Sequence, residues 1–207
     1  MILIVAVVIF LIVAYIGYTF YQFDNSPFSK QYGYSLLNTM TDSKIATKKA
    51  IYDGVFQSSA DAQVLFNLAL PNGQQTINVD SVIIHPAGVY VTTIPHKAGW
   101  ISGSYRAPEW IEQLHGNKKN KFTNPIHKAM RGQFILSDLV PEIEKQTIEP
   151  VVIFANSCSF QSIDLTGSDV EVLKAKEVGQ WANTLAGSVY SKEQILQISE
   201  KLKVYSK

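Results

Sequence analysis

The chain has 207 residues, with 18 Lys and Arg against 17 Asp and Glu and a formal net charge of +1. That balance excludes a global positive field of the kind that draws in nucleic acid. The single cysteine excludes a disulfide-stapled scaffold, and neither an internal repeat nor a low-complexity segment occurs.

Residues 1 to 23 (MILIVAVVIFLIVAYIGYTFYQF) contain no Asp, Glu, Lys, Arg or His. A helix of that length spans about 35 Å, against a hydrocarbon core of about 30 Å. Tyr15, Tyr18 and Tyr21 fall near its C-terminal end, where amphipathic rings favour the headgroup level. A cleaved signal peptide would need a basic n-region and a small-x-small cleavage site, and the sequence offers neither. The expectation is one transmembrane helix that stays attached. Lys30 follows it, with Lys44, Lys48 and Lys49 further on, so the positive-inside bias predicts a cell-membrane protein with its C-terminal domain in the cytoplasm. The lone Cys158 agrees with that side.

Residues 24 to 42 are polar and aromatic, carry Pro27 and Gly33 and lack a period, which predicts a linker or a loosely docked segment. The expected domain is 43 to 207. Ser43 opens a predicted helix to about Phe56, with Ile45, Tyr52 and Val55 on one face. Strands are predicted at 64–70, ended by Pro71-Asn72-Gly73, then at 76–85 and 88–94 around Pro86-Ala87-Gly88. Gly88 is expected to need a positive φ in that turn. A short strand is predicted at 100–105, and Asn124-Pro125 opens a helix through about Leu139. Residues 150–155 (PVVIFA) predict a buried strand and 170–173 another, and helices over 177–185 and 191–204 close the chain. Ser191 with Glu193 and Gln194 forms a capping-box pattern. This order predicts an α+β or mixed α/β domain.

Familiar chemical motifs are absent. No G-x-x-x-x-G-K-[ST], no G-x-G-x-x-G opening a helix and no G-x-S-x-G occurs. Cys158 follows a buried strand with no nameable partner for nucleophilic work, so a buried structural thiol is the simpler reading. His85, His96, His115 and His127 lack metal-ligand spacing. No cofactor and no metal is expected. Lys118, Lys119, Lys121, Lys128 and Arg131 form a local basic stretch across a predicted loop and a helix start. They are the candidate nucleic-acid contacts, although a solvated surface is the commoner outcome for such a run.

One constellation is more specific. Val79-Asp80, Gly88, Gly99-Trp100-Ile101-Ser102-Gly103 and Asn124-Pro125 stand ahead of PVVIFA in an order and spacing that resembles the nuclease-related domain (NERD) family. The resemblance covers roughly residues 43 to 203. It implies a restriction-endonuclease-like mixed sheet flanked by helices, in which two carboxylates hold a divalent cation and a lysine two residues after the second completes the site. Here the first carboxylate is Asp80. The second position is Thr93 and the lysine position is Pro95, while a family helix Glu aligns with Lys44 and a family Gln with Lys128. Asp80 alone is a poor site for Mg²⁺. Pro95 has no amine and predicts the end of its strand. Relocated groups would have to come from Lys97 or His96 and from Glu109 or Glu112. A structural role for Asp80 would be a turn-facing acid or an ion pair, for which Lys44 is the candidate partner.

These losses lead to three functional expectations. The first is a membrane-anchored pseudoenzyme that binds nucleic acid or a protein partner. The second is a membrane-anchored, metal-dependent nuclease with relocated ligands. The third is a structural or assembly protein at the membrane that keeps only the fold.

Overall fold

The computed structural model describes residues 1–141, 143–144 and 147–206. Lys207, the expected end of the domain, lies outside the described residues. The chain divides into two units, Met1–Lys49 and Ala50–Lys207.

In the first unit, α1 (Ile2–Asp24) is long and apolar enough to cross a membrane, with a mean hydropathy of 2.8 over its most apolar 18-residue window. The segment 25–42 carries two short capped helices. In α2 (Pro27–Tyr32) Ser26 is the N-cap, Pro27 opens the helix, and Gly33 ends it at a φ of 70°. In α3 (Leu36–Thr41) Ser35 and Asn38 form a capping box. Local capping chemistry made these helices, and a search for periodicity over longer windows passes over helices of six residues.

Helix α4 (Ser43–Ser58) runs across the boundary between the units. The second unit holds two sheets. The larger has the order β1-β2-β3-β7-β9, from β1 (Gln63–Asn72), β2 (Gln75–His85), β3 (Gly88–Thr93), β7 (Ile148–Phe154) and β9 (Glu171–Lys174). Its first three strands are antiparallel, and β7 and β9 then add in parallel. The smaller sheet has the order β6-β5-β4-β8, from β4 (Trp100–Ser104), β5 (Glu109–Gln113), β6 (Lys119–Thr123) and β8 (Ser159–Asp164). Both sheets are mixed and helices flank them, so the α+β expectation holds, with the sheet divided in two.

Helices α5 (Pro125–Leu139) and α7 (Lys192–Lys203) cover one face of the larger sheet, burying Val82, Val89 and Val91 with Leu136, Ile195 and Leu202. Gly132 lets α5 approach closely, since a Cβ there would lie 2.9 Å from Val91 Cγ1. On the other face α4 crosses α6 (Val178–Thr184) at Gly54, whose Cβ would lie 2.7 Å from Gly179 N. Trp181 of α6 meets Tyr90 of β3 edge to face, with centroids 5.0 Å apart. The smaller sheet packs Ile101 and Trp110 against Ile126, Ala129 and Phe154. Gly103 is required there because any side chain would run into the Trp110 indole.

Strands β1 and β2 share an irregularity that shapes the cleft described below. Leu65 and Leu68 lie three residues apart yet pack in one core, as do Val79 and Val82. Strict alternation would put each pair on opposite faces. The pairs Phe66↔Ser81 and Leu68↔Val79 keep one register, and between them Asn67 adopts a φ of 57°. Asparagine is one of the few residues that tolerates this left-handed conformation. The alternation is broken at this point, and Asp80 lies on the α5 side, within reach of Lys128.

Gly88 corrects its expectation. It is the first residue of β3 and is not among the positive-φ glycines. Close approach explains it better, because a Cβ would lie 3.0 Å from the Thr147 carbonyl oxygen. The lysines expected in a loop also move: Lys119 and Lys121 stand on β6.

Candidate functional site

A cleft of about 700 Å³ opens between β2, the end of β3, β6 and the first turns of α5. Asp80 and Thr93 lie at its floor. The register Ser81↔Thr92 makes them the next cross-strand neighbours, but β3 ends at Thr93, and the Ile94 N–H donates to Asp80 Oδ2 at 2.8 Å. Pro95 also lines the cleft, just past the strand. Without an N–H to donate it could not extend the ladder.

Lys128 on α5 completes the arrangement. Its ammonium stands 2.8 Å from both carboxylate oxygens of Asp80. Lys44, the partner expected from the sequence, is exposed in the N-terminal unit, where its backbone N–H donates to Asp42 Oδ1 at 2.7 Å. Asp80 thus finds its cation 48 residues away, on the helix that Asn124 and Pro125 start. Asn124 is fully buried and fixes that helix start. Its Oδ1 accepts from Ile126 N–H at 3.0 Å, and its Nδ2 donates to the carbonyls of Ser104, Tyr105 and Ala107 at 3.2, 3.0 and 2.7 Å. The Asn-Pro motif is therefore a staple between α5 and the β4–β5 turn.

The other titratable groups are spread around the cleft. Lys97 reaches Glu112 at 3.3 Å and lies over the Phe122 ring, 4.8 Å from its centroid. Glu112 is buried and also accepts from Ala98 N–H at 2.9 Å. Burial raises its pKa, but the Ala98 N–H, the Lys97 charge and the Gly99 N–H outweigh that, and its carboxyl titrates below the usual range. Glu109 pairs with Lys121 at 3.3 Å on the exposed surface. Lys119 and Lys121 alternate along β6 with the cleft-lining Phe122, so they point away from it. Lys118 is exposed at the start of that strand. Arg131 and His127 line the cleft beside Lys128. His96 is exposed, while His115 packs edge-on against Trp100. Cys158 is buried, and burial pushes its thiol pKa up, which opposes a nucleophilic role.

The donor set does not fit a divalent cation. One carboxylate is present at the cleft floor, and a lysine ammonium and a backbone N–H already occupy it. Among the described residues no group of three or more His, Cys, Asp or Glu side chains could hold a metal. What the cleft offers is an apolar floor, from Ile77, Ile94 and Phe122, with Lys128 and Arg131 at its α5 wall.

The mixed sheet, the carboxylate on β2 beside the end of β3 and a helix entering through Asn-Pro define a nuclease-like core. A family model described as nuclease-related domain matches residues 46–155, and the chain belongs to that family. It is 26% identical over 102 residues to an uncharacterized protein of Bacillus anthracis. The match covers 47% of this chain and 45% of that protein, so the chain spans less than half of its relative's length. No solved structure matches the chain.

Proposed function

We propose that this protein is a membrane-anchored nuclease-related domain that binds without cleaving. The observation that carries the reading is Lys128, whose ammonium sits on both oxygens of Asp80, where a nuclease of this design needs a metal ion. Thr93 adds a neutral hydroxyl beside it in place of a second carboxylate, and Pro95 supplies no amine. Losing several groups that act as a unit is not offset by keeping one of them.

Binding would be weak and phosphate-directed. Lys128 and Arg131 face the cleft, while Lys118, Lys119 and Lys121 extend the charge along β6. Three of the nearby cations are already paired with acids, Lys97 with Glu112, Lys121 with Glu109 and Lys128 with Asp80. This pairing limits the field that a polyanion would meet. Such contacts ignore base sequence and weaken steeply with salt.

The test is the purified chain with labelled DNA and RNA in Mg²⁺ or Mn²⁺, beside an Asp80→Ala variant. No cleavage is expected from either. Metal-dependent cleavage that disappears in Asp80→Ala would establish a nuclease with relocated ligands. Low-salt binding should fall when Lys118, Lys119 and Lys121 are replaced by Ser, and fall further with Arg131→Ser. Binding that is unchanged in all of these would overturn the assigned contacts, and no nucleic-acid binding even at low salt would point to a protein partner.

A further inference from the structure

We infer that α2 and α3 form a collar seated in the headgroup layer of the same membrane that α1 crosses. This rests on reading α1 as the anchor, and it assigns an apolar surface that neither the cleft nor the span uses. Helix α3 packs on α1. If α1 fills the hydrocarbon core, its last turn, and whatever rests on it, lies at the boundary between acyl chains and headgroups.

The chemistry of the collar suits that depth. Residues 25–41 contain one charged side chain, Lys30. The most exposed apolar residues of α3, Leu37 and Met40, are 57% and 72% accessible and stand one turn apart on one face. Its polar side chains turn inward on the backbone. Thr39 Oγ1 donates to Ser35 O at 3.2 Å and Thr41 Oγ1 to Leu37 O at 2.8 Å, while the Ser35–Asn38 box satisfies the N-terminal donors. A helix that answers its own hydroxyls loses little on leaving water. Beside it, Phe28, Tyr32 and Tyr34 cluster with centroids 5.3 to 6.5 Å apart, giving ring bodies with polar tips. The Lys48 ammonium lies 5.7 Å from the Tyr34 ring centroid and that of Lys49 5.6 Å from Phe23, on the side where lipid phosphates would meet them. An amphipathic segment of this kind sits about 5–10 Å into the boundary.

The experiment uses the full chain in phosphatidylcholine–phosphatidylglycerol vesicles, with Cys158→Ala as background. Single cysteines at Leu37, Met40, Val8 and Gln75 carry an environment-sensitive fluorophore, and quenchers are placed on lipids at shallow or deep positions. Leu37→Cys and Met40→Cys labels should shift to the blue and lose most fluorescence to the shallow quencher. The Val8→Cys label should respond to the deep one, and the Gln75→Cys label to neither. If the Val8 label is quenched while the Leu37 and Met40 labels match Gln75, the span stands and the collar is overturned. A blue shift at Leu37 and Met40 without lipid quenching means that protein covers the face, which also overturns it. An unquenched Val8 label overturns the anchor and the collar together.

Discussion

Protonating His85 means breaking a hydrogen bond in a buried place. Its Nδ1 accepts from the Ala87 N–H at 3.1 Å, which leaves the ring proton on Nε2, facing Ser58 Oγ at 3.4 Å. Burial holds its pKa below the ordinary histidine value. The unfolded chain therefore takes up a proton before the folded one does. The stabilisation is fully present above about pH 6.5 and is lost as pH falls from there toward the depressed folded value. Denaturant titrations of the wild type should show stability dropping through that window. His85→Gln should flatten the drop while lowering stability at pH 7.5. An unchanged pH profile in the variant would remove His85 as its source.

At the scale of elements, Asn124 is the most exposed to a single change, because one side chain joins α5 to the smaller sheet by four hydrogen bonds. Asn124→Ala removes the N-cap and orphans buried carbonyls, and should cost about 2–4 kcal/mol in chemical denaturation. Since α5 also carries Lys128 and Arg131, low-salt binding should weaken in the same variant. A loss under about 0.5 kcal/mol would mean that water replaces the side chain. The larger sheet was legible because β1, β2, β3 and β7 are long, apolar and punctuated by Gly or Pro, and the caps of α5 and α7 stand where Asn124 and Ser191 predict them. Strands β5, β6 and β8 went unread. They have five or six residues each, and KNKFT and SFQSID carry charge or hydroxyls where a core strand would carry apolar residues. Pairing with neighbours, not their own pattern, makes them strands. The Asp80–Lys128 pair was illegible for a related reason: the left-handed turn of β1 at Asn67, opposite Asp80, and the landing site of α5 together decide it, and neither shows in spacing.

For the molecule as a whole, the proposed topology puts the second unit in the cytoplasm. A C-terminal tag should survive protease added to intact cells and be digested after lysis. Digestion in intact cells would reverse the orientation, and a mature chain starting near residue 24 would replace the anchor with a cleaved leader. A helix long and apolar enough to span a membrane was evident from 23 residues without a charge. The helices that follow it were not, since α2 and α3 depend on capping side chains and a glycine stop.

The edge of the larger sheet carries one more consequence. Strand β1 lies at the edge of the sheet, and Tyr205 and Ser206 run back along it: Ala69 N–H donates to Tyr205 O at 2.8 Å, and Ser206 Oγ to Phe66 O at 2.9 Å. Anchored molecules diffuse in a plane, where neighbours meet far more often than the same number of copies in solution. A bare strand edge would there template lateral stacking of one copy on the next. On the proposed anchor, the fold-back would act as a bumper between neighbours on the bilayer. Stopping the chain after Val204 should leave the core folded yet turn dispersed proteoliposome-bound protein into clusters, seen as a rise in crosslinked multimers with surface density. Multimers no more abundant than in the full chain would show that the edge is guarded some other way.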